Sequence, residues 1–128
     1  MEKPQPRDRR AFGEALEKIA ARYLHAQGLS YVCSNFQCKV GEIDLIMRSA
    51  TELVFVEVRY RRSLAFGTPA ETVNRRKQRK LVRAAQYYLS TRQLTNHVRC
   101  RFDVLGISPA GQSHELHFDW IQGAFQVS

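Results

Sequence analysis

The chain has 128 residues, a formal net charge of +8 at pH 7, and 44% hydrophobic and 25% charged residues, a composition typical of one globular domain with one hydrophobic core. It has no apolar run of about 18 residues and no hydrophobic N-terminal segment, so we expect neither a membrane span nor a signal peptide, and a cytoplasmic location. Its three cysteines lack Cys-x-x-Cys spacing, which argues against a disulfide framework and a zinc knuckle.

The first predicted element is a helix from Asp8 to Gln27, which follows a flexible N-terminal arm over residues 1–8 and opens a single domain over residues 9–128. Gly28 is predicted to end the helix in the left-handed conformation. Glu17 lies beside the apolar stripe, at the margin of the core, where periodicity alone favours an exposed margin residue or an intrahelical pair with a basic neighbour such as Arg10. Glu14 is predicted to be surface charge. The apolar stripe has the three- and four-residue steps of one helix face: Phe12, Leu16, Ile19, Ala20, Tyr23 and Leu24.

Three strands are predicted next, at 30–39, 41–48 and 52–60. A four-residue loop over 49–52 places Asp44 directly opposite Glu57, and Glu42 opposite Arg59. Both faces of the third strand are largely apolar, which is typical of a central strand.

The opposed carboxylates of Asp44 and Glu57 are the first candidate site. Directly opposed residues place their Cβ atoms roughly 4.5 to 5.5 Å apart, a span that suits two ligands of one divalent ion. A carboxylate in an apolar run needs a partner, and two that face each other need a cation or a shared proton. The alternative for either carboxylate alone is an exposed position or a salt bridge to one of the many arginines.

A strongly basic segment follows. Thr68 and Glu71 have capping-box spacing, and Asn74 offers a second cap if the first turn is separate. The helix to about Thr91 buries a stripe of Leu81, Ala84, Ala85, Tyr88 and Leu89. A cationic face is as compatible with simple solvation as with binding, but its position beside a carboxylate pair favours a nucleic-acid surface. The candidate nucleic-acid-binding residues are Arg61, Arg62, Arg75, Arg76, Lys77, Arg79, Lys80 and Arg83.

Two further strands are predicted at about 98–107 and 114–122. The order helix, three strands, helix, two strands predicts an α/β sandwich with a mixed central sheet flanked by helices.

Two specific sequence blocks are Gly-Glu-Ile-Asp-Leu-Ile at 41–46 and Phe-Val-Glu-Val at 55–58. Further blocks are Gly13-x3-Glu17-x2-Ala20-x2-Tyr23-Leu24-x3-Gly28, Asn35, Arg59-x-Arg61, Lys77-x2-Lys80-Leu81 and Arg101-Phe102-Asp103-Val104. Together these blocks, over roughly residues 9 to 122, resemble the YraN-like family of small uncharacterised bacterial proteins.

That family is similar to the PD-(D/E)XK nucleases, a superfamily that includes the archaeal Holliday junction resolvases. The resemblance implies a restriction-endonuclease-like three-layer sandwich, one or two Mg²⁺ or Mn²⁺ ions, DNA as the partner, and a two-fold homodimer. Carried over by position, Glu17, Asp44 and Glu57 are the metal ligands and catalytic carboxylates. Arg59 stands where the superfamily has its catalytic lysine, and Ile43 where it has a proline.

Three functions remain open at this point. The leading hypothesis is a metal-dependent endonuclease that acts on branched or single-stranded DNA in repair or recombination. Because an arginine stays protonated, Arg59 cannot deprotonate water, so a weak or inactive nucleic-acid-binding module of the same fold is the alternative. A third reading is an assembly protein whose basic face binds an acidic protein.

Overall fold

A computed structural model describes residues 5–62, 69–94, 97–111 and 114–126. Its elements follow the predicted order of helix, three strands, helix and two strands. They are α1 (Pro6–Ala26), β1 (Ser30–Cys38), β2 (Gly41–Arg48), β3 (Glu52–Tyr60), a 3-10 turn (Ala70–Thr72), α2 (Arg75–Thr91), β4 (Arg99–Pro109) and β5 (Leu116–Phe125).

The five strands form one mixed sheet in the order β1-β2-β3-β4-β5. Neighbouring strands are antiparallel except β3 and β4, which are parallel. A parallel pair needs a crossover connection, and α2 lies within it. The mixed sheet and the central position of β3 are confirmed.

The two helices cover opposite faces of this sheet. Leu53 and Phe55 of β3 pack in the cluster that includes α2, whereas Val54 and Val56 pack in the cluster that includes α1. Because successive strand residues point to opposite faces, both faces of β3 are buried. The layers are therefore helix, sheet and helix. In the described part of the chain, neither helix combines the length and apolarity needed to cross a membrane.

Helix α1 begins at Pro6, two residues before the predicted start, so residues 6–8 are helical rather than part of an arm. Proline suits the first helical turn because its missing N–H would have no intrahelical partner, and Asp8 accepts a hydrogen bond from the Gln5 amide at 3.1 Å. Residues 1–4 of the predicted arm lie outside the described residues. Gly28 ends the helix with φ 106°, as predicted.

One member of the predicted α1 stripe is exposed. Ala20 and Leu24 are fully buried and the others are half-buried, but Phe12 is 51% exposed. Its ring packs edge-on against Tyr60 at the end of β3, with 5.2 Å between the ring centroids. Phe12 lies about two turns before Ala20, the first fully buried residue of the stripe.

The basic helix starts at the second of the two predicted caps. The 3-10 turn is separate from α2, and the Asn74 side chain accepts a hydrogen bond from the Lys77 amide at 2.9 Å. Thr68, the first predicted cap, lies outside the described residues. The cap fixes the first turn of α2 and thereby the position of Lys77.

The β2–β3 hairpin has the predicted four-residue loop, closed by a hydrogen bond from the Ser49 amide to the Glu52 carbonyl at 2.8 Å. The predicted register is confirmed from Arg48 opposite Leu53 to Leu45 opposite Val56. The paired residues end there, immediately before Asp44 and Glu57.

A buried carboxylate joins β4 to β5. Asp103 is 1% exposed and accepts two hydrogen bonds from the Arg101 guanidinium at 2.9 and 3.1 Å. It accepts two more at 2.9 Å, from the Trp120 indole and the Gly123 amide. The Arg-Phe-Asp-Val block therefore stabilises this edge of the sheet, since Asp103 joins β4 to the edge strand β5.

Candidate active site

Asp44 lies where β2 and β3 stop pairing. Its Oδ2 accepts a hydrogen bond from the Val58 amide at 2.9 Å. The amide of β3 therefore donates to a side chain of β2 rather than to its backbone. The Asp44 and Glu57 carboxyls are close enough for each to shift the pKa of the other. The predicted pairing of Glu42 with Arg59 is wrong, because the paired residues of β2 and β3 end at Leu45 and Val56.

Glu57 is held in a buried position between charges. Its side chain is 5% exposed, and Oε1 lies 3.5 Å from Arg59 Nε and 3.7 Å from Lys77 Nζ. Its buried Oε2 has no hydrogen-bond partner among the described residues. Burial, and then the Asp44 carboxylate, raise the pKa of Glu57 to about 7, against the opposing effect of Lys77 and Arg59.

The pKa values of the neighbouring carboxyls, Asp44 and Glu17, are raised as well. Burial raises the pKa of Asp44, although the Val58 amide and Lys77 oppose the shift. Burial also raises the pKa of Glu17 to about 7, followed by repulsion from Asp44, Glu14 and Glu42. Glu17 is half-buried, as expected of the core margin. Asp44 of β2 thus raises the pKa of both Glu17 of α1 and Glu57 of β3.

A cavity of about 360 Å³ opens between α1 and the β1–β2 hairpin. Glu17 and Asp44 both line it, so the structure brings the helical and the strand carboxylate to one space. Glu14 is exposed as expected, yet it also lines this cavity, and no feature of its helical spacing indicated this. The remaining lining residues are Arg9, Arg10, Gly13, Leu16, Asn35, Gln37, Glu42 and Val58.

The acidic residues have the chemistry of a magnesium or manganese site. In the described ranges no three His, Cys, Asp or Glu side chains form a cluster ready to hold an ion. Mg²⁺, however, is commonly bound through only one or two carboxylates together with water and substrate phosphate. The Asp44–Glu57 pair, with an unpartnered buried oxygen on Glu57, meets that requirement, and Glu17 lies beside it.

Two cations converge on Glu57, and only one of them was expected there. Arg59 also donates from its guanidinium to the Thr72 carbonyl at 3.5 Å. Lys77 was predicted to bind nucleic acid with the rest of α2, but its ammonium contacts Glu57. The sequence did contain a signal, because Lys77 lies four, seven and eleven residues before the buried Leu81, Ala84 and Tyr88.

The other predicted nucleic-acid-binding residues fall into separate groups. The groove arginines, defined as Arg75, Arg79 and Arg83, line a groove of about 510 Å³ together with Gln78, Val82, Gln86, Phe125 and Gln126. Lys80 lines a different cavity, of about 360 Å³, with Lys39 and Glu42. Arg76 is exposed. Arg61 and Arg62 follow β3, and the Arg61 amide donates to the Ile107 carbonyl at 2.9 Å.

Comparison with known proteins places the chain in a family. The model of a family described as "Uncharacterised protein family UPF0102" matches residues 16–107, a range that contains Glu17, Asp44, Glu57 and Lys77. The chain belongs to the UPF0102 family. This confirms the expected kinship with small uncharacterised bacterial proteins, whereas the relationship of this UPF0102 protein to nucleases stays a prediction.

Bacterial relatives match over nearly the whole chain. A UPF0102 protein of Alcanivorax borkumensis is 45% identical over 95% of this chain and 97% of its own. One from Coxiella burnetii is 47% identical over 87% of this chain and 88% of its own, and one from Nitrosococcus oceani is 41% identical over 96% and 98%. These relatives therefore share the whole domain.

Proposed function

We propose that this UPF0102 protein is a cytoplasmic, metal-dependent endonuclease that acts on DNA in repair or recombination, with the restriction-endonuclease-like fold that its motifs imply. One observation carries the proposal. Buried Glu57 and half-buried Asp44 form a carboxyl pair at the point where two central strands separate, with Glu17 beside Asp44 and two cations against Glu57. Buried pairs that are costly to ionise are characteristic of functional sites.

The residues would have different roles in phosphodiester hydrolysis. Asp44, Glu57 and Glu17 would hold the divalent ion, Mg²⁺ or Mn²⁺, which when bound supplies Lewis acidity and lowers the pKa of a bound water. The groove arginines would hold the DNA backbone through phosphate contacts that do not read sequence.

The charge balance of the site suits a phosphate anion. When Asp44, Glu57 and Glu17 are ionised, Arg59 and Lys77 neutralise two of the three negative charges. A divalent ion then leaves the site with a net positive charge, which favours the phosphodiester and the extra negative charge that its transition state develops.

The proposal is tested by cleavage of labelled branched, flapped and single-stranded DNA in Mg²⁺, Mn²⁺ or EDTA. We expect ion-dependent cleavage that Asp44→Ala and Glu57→Ala each abolish and that Glu71→Ala, at an exposed position on the 3-10 turn, retains. A wild-type protein that binds every substrate and cleaves none would show that the proposal is wrong.

The groove favours a second candidate, a nucleic-acid-binding module without catalysis. Three arginines along one side of α2, with an aromatic ring at Phe125, are sufficient for salt-sensitive binding to a phosphate backbone. This candidate predicts equal affinity in EDTA and Mg²⁺. A resolvase-like nuclease would instead act as a two-fold homodimer, which analytical ultracentrifugation would detect.

A further inference from the structure

Lys77 is the one lysine that α2 directs to the carboxyl pair. Its ammonium lies 3.7 Å from Glu57 Oε1, and its side chain is 32% exposed. The Asn74 cap fixes its backbone, so the ammonium is delivered from the first turn of a helix, where the helix dipole favours anions. Lys77 reaches Glu57 from α2, whereas Arg59 lies two residues after Glu57 on the same strand.

The two cations at Glu57 are held differently. Arg59 lies 3.5 Å from Glu57 and donates to the Thr72 carbonyl, so its guanidinium joins β3 to the 3-10 turn. Both cations lie too far from Glu57 for a strong hydrogen bond and their side chains are equally exposed, so the contact of Arg59 with Thr72 is what distinguishes them. Lysine is also a compact charge with three donors on a flexible stem, so Lys77 can turn to a second anion at little cost.

We propose that Lys77 is the cation that contacts the scissile phosphate, and that Arg59 is a positioning residue that holds Glu57 and the 3-10 turn. The inference rests on the proposed function, since it assigns the phosphate contact of that same site. A divalent ion bound by Glu57 would weaken the attraction between this carboxylate and the ammonium. The entering phosphate would then be the remaining anion within reach of Lys77.

The first test is single-turnover cleavage at saturating DNA. Lys77→Met, which keeps the length of the side chain without its charge, should slow cleavage about 100-fold, the effect of removing one donor from a transition-state anion. Lys77→Arg keeps the charge and should stay within about tenfold of the wild type. Lys39→Met removes an exposed lysine from the β1–β2 turn and should leave the rate unchanged. Affinity in EDTA should be similar for all variants.

The second test does not need cleavage. Fluorescence anisotropy of a single-stranded oligonucleotide, in Ca²⁺ and in EDTA, measures how much tighter the ion makes binding. Lys77→Met should lose about tenfold of this calcium-dependent gain, as expected for a hydrogen bond to a charged group, whereas Lys39→Met should keep it. Circular dichroism and the urea midpoint would establish that each variant is folded.

The outcomes separate the two proposals. Wild-type protein that never cleaves refutes the nuclease, while loss of the calcium-dependent gain in Lys77→Met still supports the phosphate contact. Wild-type cleavage with a Lys77→Met variant that keeps the gain overturns the role of Lys77 alone, whatever its cleavage rate. A wild-type protein without any calcium-dependent gain overturns the role of Lys77 as well.

Discussion

Replacing Glu57 by glutamine should change how the stability of the protein depends on pH. Burial and Asp44 raise the pKa of Glu57 from its ordinary value of 4.5 to about 7, so the folded state holds this proton more tightly than the unfolded state does. Stability therefore falls as pH rises from the unfolded to the folded pKa. At about 1.4 kcal/mol per unit, ionised Glu57 costs roughly 3 kcal/mol above pH 7. Glutamine keeps the shape of the protonated acid but does not titrate.

The assay is urea unfolding in EDTA between about pH 4 and pH 8.5, which spans the two pKa values. The free energy of unfolding of Glu57→Gln should be close to that of the wild type at the acid end and higher by up to roughly 3 kcal/mol at the alkaline end. Mg²⁺ or Mn²⁺ should stabilise the wild type at the alkaline end, and the variant much less. Glu71→Gln controls for the loss of one surface charge. If wild type and Glu57→Gln gave parallel curves, Glu57 would not be the buried, proton-holding group described above.

Three further variants, two single and one triple, test the fold and the basic groove. Asp103→Asn should lower the free energy of unfolding by about 2 kcal/mol, because one buried amide oxygen cannot accept from all the donors that converge on Asp103, although Arg101 keeps its ion pair with Glu52 at 3.2 Å; a loss below about 1 kcal/mol in urea would contradict the structural role of this cluster. Asn74→Ala should cost about 1 kcal/mol through loss of the α2 cap, and an unchanged urea midpoint would disprove that the cap matters. Substituting all three groove arginines by glutamine should weaken DNA binding and reduce the dependence of log K on log salt by roughly two to three. Anisotropy titrations across salt concentrations measure this, and an unchanged slope would place the DNA elsewhere.

Local patterns were enough to predict the elements of the fold. The strands were predicted because alternation and β-branched runs give a period of two, and α1 because its apolar residues recur at helical steps. The start of α1 at Pro6 was missed because proline early in a chain is compatible with an arm and with a first helical turn alike. The exposure of Phe12 was missed because periodicity assigns a face to a residue without showing how far along the helix that face is covered.

Local patterns predicted only part of the candidate site. The loop length fixed the register, and the register brought Asp44 and Glu57 together. The backbone pairing itself stops just before Asp44 and Glu57, so it does not extend to Glu42 and Arg59. At that point the Asp44 side chain accepts the hydrogen bond of the Val58 amide and the strands separate. The loop length, which predicts continuous pairing, does not indicate this interruption.

The sequence by itself determined the order of the elements, the central place of β3 and the neighbouring positions of two carboxyls, because each depends on spacing within one segment or across one short loop. Periodicity did not place Glu17, which the family resemblance alone grouped with Asp44 and which the tertiary structure brings to the cavity of Asp44. Only the tertiary structure decided that α2 brings Lys77 to Glu57. These contacts join segments that are distant in the chain and meet only because the helices pack on opposite faces of the sheet. The raised pKa values of the carboxyls likewise follow from burial and from charges on other elements, which no local pattern contains.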